Sequence, residues 1–459
     1  MVMEAEPESD SETELEMEME MSDLPKRCIH SPAEKHLWCH FVNITCHVLT
    51  LPFEGDHDPI MSGVVSKAHY DTMVLDAILC LGASHLINQI RLSPGSGSAS
   101  ASVSSQIQGL TGIKQTLLGR AQEELSKRVV ALLQSPNKPP DENAEYEAES
   151  LLTVYLLLYL YEVSEGSGDH SWKTRLDGAR SFVYDVLQRQ HHHNTIMHES
   201  IPGSRSQSKN EHKIPPSCED FECLGIDKFL MQFFSYHDIM GDVTNGTKSD
   251  RDQQQQQKYR GVMGSLSALE NGYYDEEHML GMHHGLIEII SRVYTLQMDT
   301  SGNMVPSHEI ITRAVNIWQD VSDWMVPESD LDLHHMYETY ISAISIWILC
   351  IIHPGDVAKD KVQTMVARGL SSLSLLDGSA LQTVSLLPFF VIGLACIHRQ
   401  DREALEEQLR RLERVRCLGY IRICGSKIRK AWMDYDGGTK RSWTWECISQ
   451  TDDLSLSLA

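Results

Sequence analysis

Histidine and cysteine crowd the first apolar stretch of the chain, and these are the side chains that bind metals and move protons. His36, His40 and His47 fall near one another between Ala33 and Leu51, with Cys28, Cys39 and Cys46 close by. A His-x3-His spacing sets His36 and His40 on one face of a helix, which suits zinc. No third ligand follows at a recognisable spacing, and mixed buried and exposed helix positions account for the same residues. His191, His192 and His193 form a run among Ser, Asn and Gln, without the fixed geometry a metal site needs. Cys218 and Cys223 are five residues apart, and no two cysteines make a C-x-x-C pair. Zinc-cluster and treble-clef sites are therefore not expected.

The adjacent pair His237-Asp238 has the order found at the centre of an HD phosphohydrolase metal site. The further histidines and aspartate of such a site are not recognisable, so the pair reads as a helix position beside the core. No Gly-rich loop ends in Gly-Lys-Ser/Thr, no G-x-G-x-x-G follows a strand, and no G-x-S-x-G elbow is present. No catalytic, cofactor-binding or metal-binding residue is assigned. The chain reads as a non-enzyme.

These residues must be held by helices. The pattern is organised around Glu149 to Leu187, which opens with a nearly unbroken apolar run from Leu151 to Val163. Ser164, Gly166, Ser167 and Gly168 end it. Trp172, Leu176, Ala179, Val183 and Leu187 then recur three or four residues apart, as one buried helical face requires. Ser171 stands where an N-cap hydroxyl would sit, and the short link folds the two helices into an antiparallel hairpin. A helix so apolar must be covered on most sides, which predicts a central buried helix in an all-α fold.

Other helices are expected over Ala33 to Leu51, with Leu37, Phe41, Ile44 and Val48 inward, and over Ile60 to Ile90, burying Met73, Leu75, Ile78, Leu79 and Leu86. More follow at Leu110 to Leu133, Gly225 to Thr244, Leu280 to Gln297, Ser307 to Trp324, Leu333 to Ile352, Asp356 to Leu376 and Gln382 to His398. Arg402 to Val415 and Ile421 to Met433 close the set. Leu92 to Ser105, rich in Ser, Gly and Ala, reads as a flexible loop. Nothing alternates with period two over a useful length. The reading is all-α: a single large domain of packed antiparallel helices over 31–435, preceded by an acidic disordered tail (1–30) and followed by a C-terminal tail (436–459). Low-complexity inserts are placed at 188–216 and 245–272, the second containing five consecutive glutamines, Gln253 to Gln257.

Composition bounds the function. A formal net charge of −25 over 459 residues argues against the chain as a whole gripping nucleic acid. Residues 1 to 24 carry ten acidic groups and no basic ones, interleaved near the end with Leu15, Met17, Met19 and Met21. Such acidic–hydrophobic alternation occurs in activation segments and also in plain solvated tails. Ten basic residues gather between Arg399 and Lys430, but Asp401, Glu403, Glu406, Glu407 and Glu413 offset half of them at helical spacing, which favours a solvated, ion-paired face. The longest apolar run, about thirteen residues, is short of the roughly 20 that cross a bilayer, and the acidic start is unlike a signal peptide. Eleven scattered cysteines, with Cys80, Cys350 and Cys396 inside apolar helical patterns, suit reduced, buried thiols.

Five stretches in order then carry a resemblance. They are HFVNITCHVLTLPF; YDTMVLDAILCLGASHL; ESLLTVYLLLYLYEV with WKTRLDGAR; KFLMQFFSYHDIMGDVT; and LPFFVIGLACIHRQDREALEEQLRRLE with IRKAW. Together, from about His36 to Trp432, they resemble the fungal-specific transcription factor regulatory domain, the helical region downstream of a zinc cluster in fungal regulators. The family's small-residue helix ends in an Ala-x-His-Leu-like element, matched by Ala83 to Leu86. Its hairpin carries Trp and Gly-Ala-Arg, matched by Trp172 and by Gly178, Ala179 and Arg180.

The resemblance implies a nuclear regulator of transcription by RNA polymerase II, with the helical domain controlling activity or pairing. Partners would be proteins, including a homo- or heterodimer with related regulators, and no membrane. The family's six-cysteine DNA reader has no counterpart in this sequence. DNA contact, and zinc as a cofactor, would enter only through such a module upstream, and none of its residues is carried over. The alternative is an α-helical interaction or ligand-sensing module that does not bind DNA.

Overall fold

The computed structural model describes residues 29, 31–49, 60–93, 101–134, 142–199, 228–245, 284–300, 306–324, 330–354 and 357–438. Among them every regular element is a helix and no strand occurs, as the missing period-two alternation predicts. The acidic segment, most of both expected inserts, the glutamine run, Cys218, Cys223 and the end of the C-terminal tail lie outside the described residues.

Helix α1 (Pro32–His40) starts on a full capping box. Ser31 accepts the Glu34 N–H, and the Glu34 carboxylate accepts the Ser31 N–H, both at 3.1 Å. It runs through a π-helical turn, Phe41–Thr45, into short α2 (Cys46–Leu49). This overturns part of the expected inward face. Leu37, Phe41 and Val48 are buried, but Ile44 is 38% exposed and Thr45 fully buried. A π turn carries more than four residues per turn, so the position an α-helix would give to Ile44 passes to Thr45.

The stretch from Ile60 is likewise not one helix. A π-helical segment (Ile60–Val65) and α3 (Ser66–Ala68) end at Tyr70, and α4 (Thr72–Leu92) restarts on Asp71. The Asp71 carboxylate accepts the Met73 N–H at 2.9 Å, an N-cap bond that fits this side chain better than a helix interior. Met73, Leu75, Ile78, Leu79 and Leu86 are all buried as anticipated. Helix α5 (Ala101–Leu133) begins nine residues earlier than expected, inside the supposed loop. Its Ser- and Ala-rich first turns are mostly exposed, so little apolar periodicity marks them.

The hairpin is present as α6 (Glu142–Glu165) and α7 (Ser171–Glu199). Gly166 and Gly168 take positive φ, +56° and +79°, the conformation that glycine permits. The α7 backbone continues past Gln188 to Glu199, so part of the stretch assigned to an insert, including His191 to His193, is helical. Beyond it come α8 (Lys228–Asn245), α9 (His284–Thr300), α10 (His308–Ser322), α11 (Leu331–Ile352) and α12 (Asp360–Leu375). A 3-10 turn, Ala380–Ser385, replaces the start of the expected helix before α13 (Leu386–Ala395). Helices α14 (Arg399–Arg416) and α15 (Gly419–Asp436) follow.

The buried apolar residues form one contiguous core with two hubs. The expected hub, α6, is surrounded by α4, α5, α7, α8 and α15. The second, α11, is buried from Met336 to Ile351 except at Glu338 and is surrounded by α9, α10, α12 and α13. Helix α13 is buried at all ten positions, and α15 touches both α6 and α13. Helices α4 and α11 are long and apolar enough to cross a bilayer, but 83% of each such window is buried inside the protein. They serve as core helices here.

Candidate functional site

The polar residues of the matched stretches meet one another across the core. His40, the last residue of α1, is buried, and its Nε2 lies 2.9 Å from Nδ1 of His85 on α4. His85 Nε2 in turn lies 3.1 Å from the carbonyl oxygen of Arg416, at the end of α14. A carbonyl only accepts, so His85 donates from Nε2; in the neutral ring Nδ1 is then the acceptor, and His40 donates to it from Nε2. Burial first, then the charge interaction with His85 and His36, pushes His40 down to about 4. Burial lowers His85 as well, against the bond to the Arg416 carbonyl. The chain turns directly after that carbonyl, at Cys417 in the left-handed region (φ 53°).

This geometry separates His40 from the zinc reading. His36 and His47 are exposed, and His40 points into the core at His85 instead. Among the described residues, no group of three or more His, Cys, Asp or Glu is placed to hold a metal ion.

A second set joins α7 to α8. The Arg180 guanidinium donates Nε to the Asp238 carboxylate, Nη2 to the Asp238 carbonyl at 3.1 Å and to Asp242 at 2.6 Å, and Nη1 to Asp177 at 3.0 Å. Burial pushes the Asp238 carboxyl up, against the pull of Arg180. Gly241 lets the helices approach, since a Cβ there would run into the Leu176 side chain. Its neighbour His237 is buried in a box of rings, with centroids 5.1 Å from Tyr159, 4.4 Å from Phe233 and 5.2 Å from Tyr236, all edge-on. Neither imidazole nitrogen has a hydrogen-bond partner, and burial drives its pKa down to about 3. The His-Asp order thus has a packing meaning here: His237 faces the rings while Asp238 faces an arginine.

The C-terminal end of α6 is the third set. Glu165 accepts from Ser84 Oγ at 2.5 Å and from the buried Lys114 at 2.6 Å, and the Lys114 ammonium also lies 5.6 Å from the Tyr161 ring centre. Asn88 donates to the Ser164 carbonyl at 2.9 Å. Here α15 starts against the end of α6 so closely that a Cβ on Gly419 would lie 2.5 Å from the Glu165 carbonyl oxygen. Ser171 does not cap α7 as expected. The Asp169 carboxylate accepts the Ser171 N–H at 3.0 Å, and the single Ser171 hydroxyl proton lies between the Glu162 carboxylate (2.9 Å) and that of Asp169. An ionised carboxylate is the stronger acceptor at a helix N-terminus.

The basic C-terminal helices are laced by ion pairs: Arg399 with Glu403, Arg402 with Asp436, Arg410 with Glu407, Arg411 with Asp377 and Glu407, and Arg429 with Glu406. Arg416 and Lys427 are buried. An open cleft of about 450 Å³ lies where α4, α5 and α6 converge, lined by Tyr70, Asp71, Thr72, Arg128 and Tyr146. Its lining mixes the Tyr70 and Tyr146 rings with charge, since Arg128 bridges Asp71 and Glu147 there at 2.8 Å and 2.5 Å.

Sequence reasoning named His40, His237, Asp238 and Arg180 but missed their partners His85, Arg416, Asp177 and Asp242, and the Lys114–Glu165 pair. One signal was readable for His85. A buried imidazole inside an apolar helix such as Met73 to Leu86 usually has a polar partner, although the sequence does not say which.

A family profile described as fungal specific transcription factor domain matches residues 36–459. Neither a curated protein nor a solved structure matches the chain.

Proposed function

The chain belongs to the fungal specific transcription factor domain family, and from that premise we propose that it acts in a fungal transcriptional regulator as the helical regulatory and partner-binding domain, without reading DNA itself. The family match carries the first half of this reading. It covers all of the described helical core but the start of α1, and membership of the family supports a regulatory rather than a catalytic role, exercised in the nucleus.

The second half is supported by where the cations sit. DNA-binding helices hold arginines and lysines free for phosphates and base edges. In α14 and α15, five arginines are engaged with carboxylates of the same protein, and Arg416 and Lys427 are inside. The net charge of −25 opposes approach to a polyanion.

Two measurements test the reading. A fluorescently tagged chain expressed in a fungal cell is expected in the nucleus, and confinement to the cytoplasm under all growth conditions would overturn the regulatory role. The purified chain, titrated with random-sequence duplex DNA at low salt, is expected not to shift it. Sequence-selective binding by this chain alone would remove the claim that it does not read DNA.

A further inference from the structure

The open cleft of about 450 Å³ beside the N-terminus of α4 lies apart from the buried polar sets that tie the core together. Its volume suits a small ligand or a single side chain. Tyr70 and Tyr146 line it, and they are 87% and 42% exposed, so both present ring surface to water beside one concavity. That surface is regained from water when a ligand covers it.

Charge decides which ligand fits. The Arg128 guanidinium is fully occupied on its inner side: Nε and Nη2 donate to the two Glu147 oxygens at 2.6 Å and 2.5 Å, and Nη1 donates to both Asp71 oxygens at 2.9 Å and 2.8 Å. The positive end of α4 is answered as well, because Asp71 accepts the Met73 N–H. An anion would meet a guanidinium already neutralised and two carboxylates that repel it. A cation meets the reverse. One guanidinium between two carboxylates leaves one negative charge at the cleft, and Lys67, one turn before Asp71, is itself paired with Glu149 at 3.2 Å. Glu147 keeps 28% of its side chain exposed, and each of its oxygens has a second lone pair beyond the one that Arg128 uses. Tyrosine ring faces attract cations in addition.

We infer that this cleft binds an organic cation, a guanidinium or substituted ammonium group, held against the Tyr70 and Tyr146 rings by the surplus carboxylate charge. The group is carried by an arginine or lysine of a partner protein or by a free organic cation, and the recognising chemistry is the same for both. The inference does not rest on the transcriptional role, since neither nuclear localisation nor the DNA titration bears on it.

Fluorine NMR of the full chain labelled with fluorotyrosine tests it. Tyr70 and Tyr146 are assigned by the signal each loses in Tyr70→Phe and Tyr146→Phe. Titration with N-acetyl-arginine methylamide is expected to move both signals along a saturable curve. The uncharged isostere, N-acetyl-citrulline methylamide, is expected to bind about tenfold more weakly. Tyr70→Ala alters a side chain that stands in solvent, and is expected to weaken arginine binding roughly fivefold, read at Tyr146. A glycine–serine peptide around one arginine separates the sources: tighter binding than the capped residue identifies a protein segment, and otherwise the cation is a free one, for which choline is the second probe. The inference is overturned if neither tyrosine signal moves or the movement does not saturate. It is overturned equally if citrulline matches arginine, or if Tyr70→Ala leaves the affinity unchanged.

Discussion

At the residue scale the informative groups are the buried histidines. His40, His85 and the Arg416 carbonyl form a directed chain of two hydrogen bonds that ties three helices far apart in sequence. Replacing His85 by alanine strands the His40 donor and the carbonyl together. The expected loss is about 3 kcal/mol of stability, read as a shift of the urea midpoint at unchanged slope. The pH dependence has a definite sign. His237 is held near 3 in the fold against 6.5 in the open chain. Between those values the unfolded state takes up a proton that the folded state refuses, so stability falls as pH drops through that window and is flat above it. Each such group contributes a slope of about 1.4 kcal/mol per pH unit, and His40 adds its own between 6.5 and about 4. Asp238, pushed upward by burial, works with the opposite sign. The difference between variant and wild type is therefore the useful quantity. His237→Leu is expected to reduce the slope between pH 4 and 6 by about one such unit, and an unchanged slope would mean that this imidazole is already charged in the fold.

At the element scale, register and close approach decide the outcome. The π turn in Phe41–Thr45 sends Ile44 outward and Thr45 inward. Ile44→Asp is accordingly expected to change stability by no more than about 0.5 kcal/mol. Thr45→Asp, which buries a carboxylate without a cation, is expected to cost upwards of about 3 kcal/mol. Thermal denaturation of the two variants separates this register from a regular helix, in which the order would reverse. Where α15 meets α6, Gly419→Ala places a methyl group on the Glu165 backbone, which cannot retreat as a flexible side chain can. The expected cost is about 3 kcal/mol, and a variant that melts like the wild type would show that the two helices can slide apart freely. The helices themselves were largely legible, because apolar residues at three- and four-residue spacing mark them directly. Their irregular joints were not. Asp71 interrupts an apolar run whose period continues on both sides, and the early turns of α5 are too exposed to show any period.

At the scale of the molecule, one apolar core joins two hubs, and many described surface arginines pair with carboxylates of the same chain. Exposed pairs such as Arg399–Glu403 contribute little each, so Arg399→Ala is expected to leave the melting temperature within about a degree of wild type. A larger drop would mean that the α14 ion pairs act as a cooperative network. The second hub, α11, escaped emphasis because its apolar run is broken by Tyr, Thr and Ser, residues that look half-exposed in sequence. In the fold they are covered by α12 and α13, with Thr339 and Ser342 returning their hydroxyls to carbonyls one turn back at 2.7 Å and 2.8 Å. A hydroxyl satisfied within its own helix can be buried at little cost.

What the amino-acid order determined by itself is therefore local and periodic. It specified the all-α class, the hairpin with its glycine link, most buried faces, and the ordered stretches that reveal the family, because each of these depends on residues within a few turns of one another. The tertiary structure alone decided who pairs with whom: His40 with His85 rather than with His36, Arg180 with Asp238, and Gly419 against Glu165. Those partners lie between 45 and 254 positions apart. No spacing rule connects residues at such separations, and only the packing of helices into one core brings a buried polar group to the single atom that can satisfy it.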